Sequence, residues 1–182
     1  MHLKEYNASM GERTPTGDPT IHEESRDKAE TCLKDGRTFA LGHAMDLKLG
    51  LSPAGFELAV SFSASQLLKD DIFGTQEMIG KLSGIPFSGF VRRKLEGNLR
   101  ALELAEDYLG RTREDLTREQ LSDRPEEYAL IVRQAVQNLF VLERGKDSMS
   151  KDQYNEQVGN WGTHWKAQIQ DIPPITYTQQ HQ

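Results

Sequence analysis

The sequence predicts a mainly α-helical protein, and three observations carry that expectation. Apolar residues recur at three-to-four spacing along most of the chain, as in Phe56, Val60, Ala64 and Leu67, or Val91, Leu95, Leu99 and Leu102. Capping and stopping residues frame these stripes. No two alternating runs flank a tight turn, so no hairpin is expected, and no internal repeat is visible.

Residues 1–20 are polar, carry Gly and Pro, and lack periodicity, which predicts a flexible arm. The "GERTPTGD" stretch lacks the Gly-Lys-Ser/Thr ending of a phosphate loop, and no strand precedes it. A first helix is expected from Thr20 to Gly36, with Ala29, Cys32 and Leu33 as its apolar stripe and Gly36 as a left-handed stop. The segment after it fits a helix through Ala40, Ala44 and Leu47, while Leu47, Leu49 and Leu51 alternate. A helix ending near Lys48 is the preferred reading, with Gly50 as the break. Ser52 caps the next helix and Pro53 occupies its first turn, where a missing N–H costs nothing. Asp70 and Asp71 read as its end. A short helix is then expected from Thr75 to Gly84, with Met78, Ile79 and Leu82 pointing inward. Pro86 and Ser88 open another, which runs to Leu109 with Gly110 as its stop. Residues 111–123 read as a charged loop with a turn of helix at Arg118–Leu121. A long helix then follows Asp123 and Pro125. The last helix carries the seam Tyr154, Val158, Trp161, Trp165 and Ile169, and ends at Pro173 and Pro174. The division expected is an arm over 1–20, one helical domain over 21–171 and a tail over 172–182.

Composition bounds the function. The chain has 182 residues and is long enough to bury a core without disulfides or metal. A single cysteine, Cys32, forbids an internal disulfide, and a reducing compartment is the default. No apolar run reaches the length of a bilayer span, so a cytoplasmic protein with no membrane partner is expected. The net charge of −6 argues against polyanion binding over the whole surface. A local site is still open, because phosphate contacts need only one positive face. From Arg92 to Arg100 the chain has four bases, Arg92, Arg93, Lys94 and Arg100, against one acid, Glu96.

The stretch "GLSPAGFELAVSFSASQLL … TQEMIGKLSGI … PFSGFVRRKLEGNL" resembles the helix-turn-helix core of bacterial transcription regulators, most of all the winged-helix family of multiple-antibiotic-resistance repressors. Gly80 stands where two motif helices would cross closely, Gly84 where the chain reverses, and Ile85 where an apolar plug belongs. The turn is one residue longer than the motif's usual one, so Phe90 competes with Val91 for the core position. The resemblance implies a dimeric transcriptional regulator that binds duplex DNA. Gln76, Ser88, Arg92, Arg93, Lys94 and Arg100 would contact DNA, and Arg111 and Arg113 would sit at the tip of a small β-wing. A wingless, all-helical variant fits the acidic "RALELAEDYLG" equally. The alternative is a helical protein–protein interaction or assembly component. Its acidic surface and the Tyr154, Trp161 and Trp165 seam would then be the partner or dimer contact.

Remaining signals for chemistry are sparse. His43 and Asp46 are three apart and would share a helix face, as a metal or proton-transfer pair does, or as a plain surface hydrogen bond does. Cys32 reads as a small buried hydrophobe. No catalytic residue, metal site or cofactor is expected, and the chain reads as a binding protein, not an enzyme.

Overall fold

The computed structural model describes residues 19–118 and 123–172. Over them the chain is helical: α1 (Pro19–Gly42), α2 (Met45–Leu49), α3 (Pro53–Leu82), α4 (Gly89–Arg118), α5 (Pro125–Gly145) and α6 (Lys151–Gln170), with one 3-10 turn at Lys146–Ser148. No strand occurs among the described residues, so the wing expected around Arg111 and Arg113 is absent and both residues lie inside α4. Most of the expected N-terminal arm, most of the turn at Arg118–Leu121 and the stop at Pro173–Pro174 lie outside the described residues; Pro19 and Thr20, the end of that arm, already belong to α1.

Local chemistry explains the helix starts. The Ser52 hydroxyl accepts the Gly55 N–H at 3.1 Å, and Pro53 fills the first turn of α3. Ser150 and Gln153 close a reciprocal capping box at the start of α6. Pro125 opens α5 after Arg124, one residue later than the cap expected at Asp123.

Three expected breaks are not there. α1 passes through Gly36 and continues to Gly42. α3 passes through Gly74 and Thr75, so the separate short helix starting at Thr75 does not exist; Thr75 is buried mid-helix. α4 passes through Gly110. A lone glycine costs a helix only about 1 kcal/mol, which packing easily offsets. At Gly36 the glycine has a tertiary purpose. A Cβ there would lie 2.7 Å from the Ala64 amide nitrogen and 2.8 Å from the Val60 carbonyl oxygen, so its absence lets α1 and α3 meet backbone to backbone. Gly84, by contrast, does take the left-handed conformation at φ 88, where the chain reverses.

Two apolar cores hold the body. The larger gathers Met45, Leu49, Leu58, Val132, Val136, Leu139 and Trp161 from α2, α3, α5 and α6. The smaller joins α1, α3 and α4 through Ala29, Cys32, Ala64, Leu68, Leu102, Ala105 and Leu109. Helices α3 and α4 run antiparallel. Ser65 meets Glu106, and four residues earlier the Ser61 carbonyl meets Arg113, so partners advance along α4 as they step back along α3. Both long helices then extend past the smaller core. Between Leu68 and Ala101, only Thr75 is buried. The α3–α4 hairpin therefore ends in a two-helix prong, with the half-buried Ile79, Leu82, Leu95 and Leu99 along its inner seam. From Phe73 to Leu82 the prong is about 15 Å long at 1.5 Å per residue.

Candidate functional site

The tip of the prong joins two unusual features. The first is exposed apolar surface. Phe87 is 103% exposed and Phe90 80%, and Ile85 and Val91 are each half-exposed beside them. Of the two rivals for one core position, Phe90 and Val91, neither is buried. Phe87 also has a left-handed backbone, φ 65, which a bulky side chain rarely adopts. The turn that imposes it is held by the Ser88 hydroxyl, which donates to the carbonyls of Leu82 at 3.0 Å and Ile85 at 2.8 Å. Ser88 N–H adds a longer bond to Ile85 O at 3.4 Å. An exposed aromatic at a strained position gains nothing for the fold it sits in.

The second feature is positive charge directly behind the apex. Arg92, Arg93, Lys94 and Arg100 are all exposed on α4, with Lys81 exposed on α3. Arg92 pairs with Glu96 at 3.3 Å and Lys81 with Glu77 at 2.8 Å, one turn away in each case. Arg93, Lys94 and Arg100 make no ion pair with a described residue. Successive helical residues point about 100° apart, so Arg92, Arg93 and Lys94 fan around α4 over roughly 200°. They form a collar around the prong, while Arg93 and Arg100, seven residues apart, share its outermost line.

The other sequence-predicted residues divide. Gln76 is exposed on α3, within the prong. Gly80 makes no close helix crossing, since a Cβ there would meet nothing within 4 Å; the two helices run alongside each other instead of crossing. Arg111 lies back in the body, lining a cavity with His22, Arg26, Asp107 and Tyr108. Arg113 is engaged within the fold. Its guanidinium donates to the Ser65 hydroxyl and to Glu106 Oε1 at 3.1 Å, and lies 5.3 Å above the Phe62 ring. Ser65 in turn donates to Glu106, closing a half-buried triad between α3 and α4. In the expected aromatic contact seam, Trp161 is core. It is 5% exposed and its indole N–H donates to the Ala135 carbonyl at 2.8 Å. Tyr154 donates to Glu143. Tyr154 and Trp165 are both half-buried, and Trp165 lies at the edge of a shallow α5–α6 cavity with Val141 and His164.

His43 finds a carboxylate, but it is Glu143 of α5. Nε2 lies 3.4 Å from Glu143 Oε1, and the ring packs on Phe39 at 4.6 Å. Burial lowers the imidazole pKa more than the Glu143 charge raises it, so His43 faces the carboxylate uncharged at neutral pH. Burial also pushes Glu143 up, but hydrogen bonds from Tyr154 and Lys146 and the His43 contact outweigh it, and its pKa lies below the ordinary carboxylate value. Tyr154, half-buried and donating to that carboxylate, is pushed up to about 12. Glu143 is thus saturated by its neighbours. The cluster clamps the α1–α2 corner onto α5 and α6. Among the described residues no three His, Cys, Asp or Glu side chains gather as a metal site would need.

No protein-family model, curated protein or solved structure matches the chain. The sequence signal that points to the site is the basic cluster. The apolar apex is written in "GIPFSGFV", but its side chains read as core until the hairpin places them past the body.

Proposed function

We propose that the protein is a non-catalytic docking component, which engages an anionic partner through the tip of its α3–α4 prong. One observation carries this reading. The chain, at −6 overall, holds its densest cationic cluster and, among the described residues, its most exposed large apolar side chains at the same projecting end. Charge brings such a tip to an acidic surface, and the apolar residues then gain by leaving water. The long-helix body, tied by the Arg113–Glu106–Ser65 triad, keeps the prong rigid at its base.

A second reading is duplex DNA binding, favoured by the exposed Arg93, Lys94 and Arg100 on one short helical stretch. That mode would use Arg92, Arg93, Lys94 and Arg100 on phosphates and base edges, and would leave Phe87 and Phe90 in water. The two readings part in one experiment. Binding to heparin and to a short duplex is measured across a salt series for wild type, Arg93→Gln/Lys94→Gln and Phe87→Gly/Phe90→Ser. Docking through the tip predicts that both variants weaken binding. DNA binding predicts a shallower salt slope for the cation variant and no effect of the phenylalanine variant. Binding indifferent to both variants sinks both readings.

A further inference from the structure

We propose that the partner of the prong is an anionic bilayer surface. The apex side chains Ile85, Phe87, Phe90 and Val91 enter the boundary between headgroups and acyl chains, and Arg92, Arg93 and Lys94 meet lipid phosphates. This inference rests on the docking reading and names the partner's chemistry.

The shape of the tip comes first. It is a convex knob, and Phe87 leaves it with no part of its side chain covered. A protein partner needs a groove shaped to that knob. A lipid interface is deformable and accepts a convex apolar end without one.

The depth profile comes second. α4 begins at Gly89, so Arg92, Arg93 and Lys94 stand about 4 to 8 Å behind its first residue, at 1.5 Å per residue. Interfacial segments bury their apolar side roughly 5–10 Å into the headgroup–acyl boundary. Placing Phe87 and Phe90 at that depth therefore brings the collar level with the phosphates. Because the three cations fan around α4, a perpendicular approach lets all of them reach the surface at once; a flat approach would serve only one side. Long Arg and Lys side chains adjust the remaining distance by snorkelling.

Charge comes third. Over residues 85–100 four cations face one acid, Glu96, which Arg92 already neutralises. The rest of the chain is correspondingly acidic, so an anionic membrane attracts the tip and repels the body. That field orients the molecule prong-first. It also argues against a tip-to-tip dimer, which would oppose two like-charged collars. No described helix is long and apolar enough to cross a membrane, and surface docking of this kind requires none.

The test is flotation of the full chain with phosphatidylcholine vesicles, with and without a third of phosphatidylglycerol. Wild type is expected to float with the anionic vesicles roughly tenfold more than with neutral ones. Phe87→Gly/Phe90→Ser and Arg93→Gln/Lys94→Gln are each expected to lose most of that binding. Both variants change exposed residues only, and glycine suits the left-handed backbone at 87, so circular dichroism should match wild type. A Phe87→Trp variant should be quenched by brominated lipid, while wild type, whose Trp161 and Trp165 lie in the body, should not. Flotation unaffected by the phenylalanine pair, or no added quenching in the Phe87→Trp variant, overturns the proposal. If heparin or duplex binding depends on the tip but vesicles are ignored even at low salt, the bilayer proposal falls and the docking reading stands. If neither vesicles nor polyanions respond to the tip, both fall.

Discussion

Replacing Gly36 with alanine tests the packing on which the body depends. In an ordinary exposed helix the change would stabilise by about 1 kcal/mol, because alanine restricts the unfolded chain and suits the helix. Here the new methyl would sit 2.7 Å from a backbone nitrogen of α3, against an ordinary contact of at least 3.4 Å. The difference, 3.4 − 2.7 = 0.7 Å, is the separation that would restore an ordinary contact at that point. The obstruction is backbone, which cannot rotate away as a side chain would. It also belongs to a helix segment whose Ala59, Val60 and Ala64 serve both cores. Overpacking a close-fitted interior costs about 1–3 kcal/mol, and separating the helices removes further contacts on either side. The clash therefore wins, with a net loss of about 1–2 kcal/mol, or roughly 3–6 °C in the thermal midpoint for a chain of this length. Gly159→Ala is the matched control. It lies mid-helix in α6, exposed, with nothing within 4 Å of the added Cβ, and it should raise the midpoint. The measurement is calorimetry of the three proteins at pH 7. A Gly36→Ala midpoint at or above wild type refutes the backbone-to-backbone contact between α1 and α3.

Two further predictions concern buried charge and pH. Arg113→Met should destabilise by about 2–3 kcal/mol, because it leaves half-buried Glu106 without its counter-charge. Adding Glu106→Gln should recover part of that loss, and strictly additive losses in urea titrations would refute the triad. Acidification should lower the thermal midpoint in two stages. His43 and Glu143 both have folded pKa values below their ordinary values of 6.5 and 4.5, so the folded state binds fewer protons than the unfolded one. Their stabilising effects are complete above those ordinary values and are lost as pH falls toward the lower folded ones. His43→Gln should remove the upper stage, and a midpoint flat from pH 7.5 to 5 in wild type would show that His43 is not buried as described.

Much of the helical content was legible in the sequence because its signals are local. The stripe in α5, the Pro53 and Pro125 starts and the Ser52 cap each depend on residues within one or two turns. Breaks were over-read for the same reason. Gly36 and Gly110 carry one local signal, a weak helix former, and that signal is the same whether a helix ends there or packs through; Thr75 likewise offers a cap whether or not a helix starts there. At Gly36 only the presence of α3 distinguishes the two. The aromatic seam divides in a parallel way: spacing places Tyr154, Trp161 and Trp165 on one side of α6, but does not say which of them α5 covers.

The order of residues is enough to show that the chain is helical, where several helices begin, and that one short stretch concentrates positive charge on an acidic protein. These follow from backbone chemistry and counting. That α3 and α4 extend past the smaller core by nearly three turns is a property of the packed helices alone. That one fact reverses the meaning of "GIPFSGFVRRK". In a helical corner its apolar residues would plug a core and its bases would decorate a face. On a prong that no third described helix covers, the same apolar residues stay exposed, and the bases become a collar behind them.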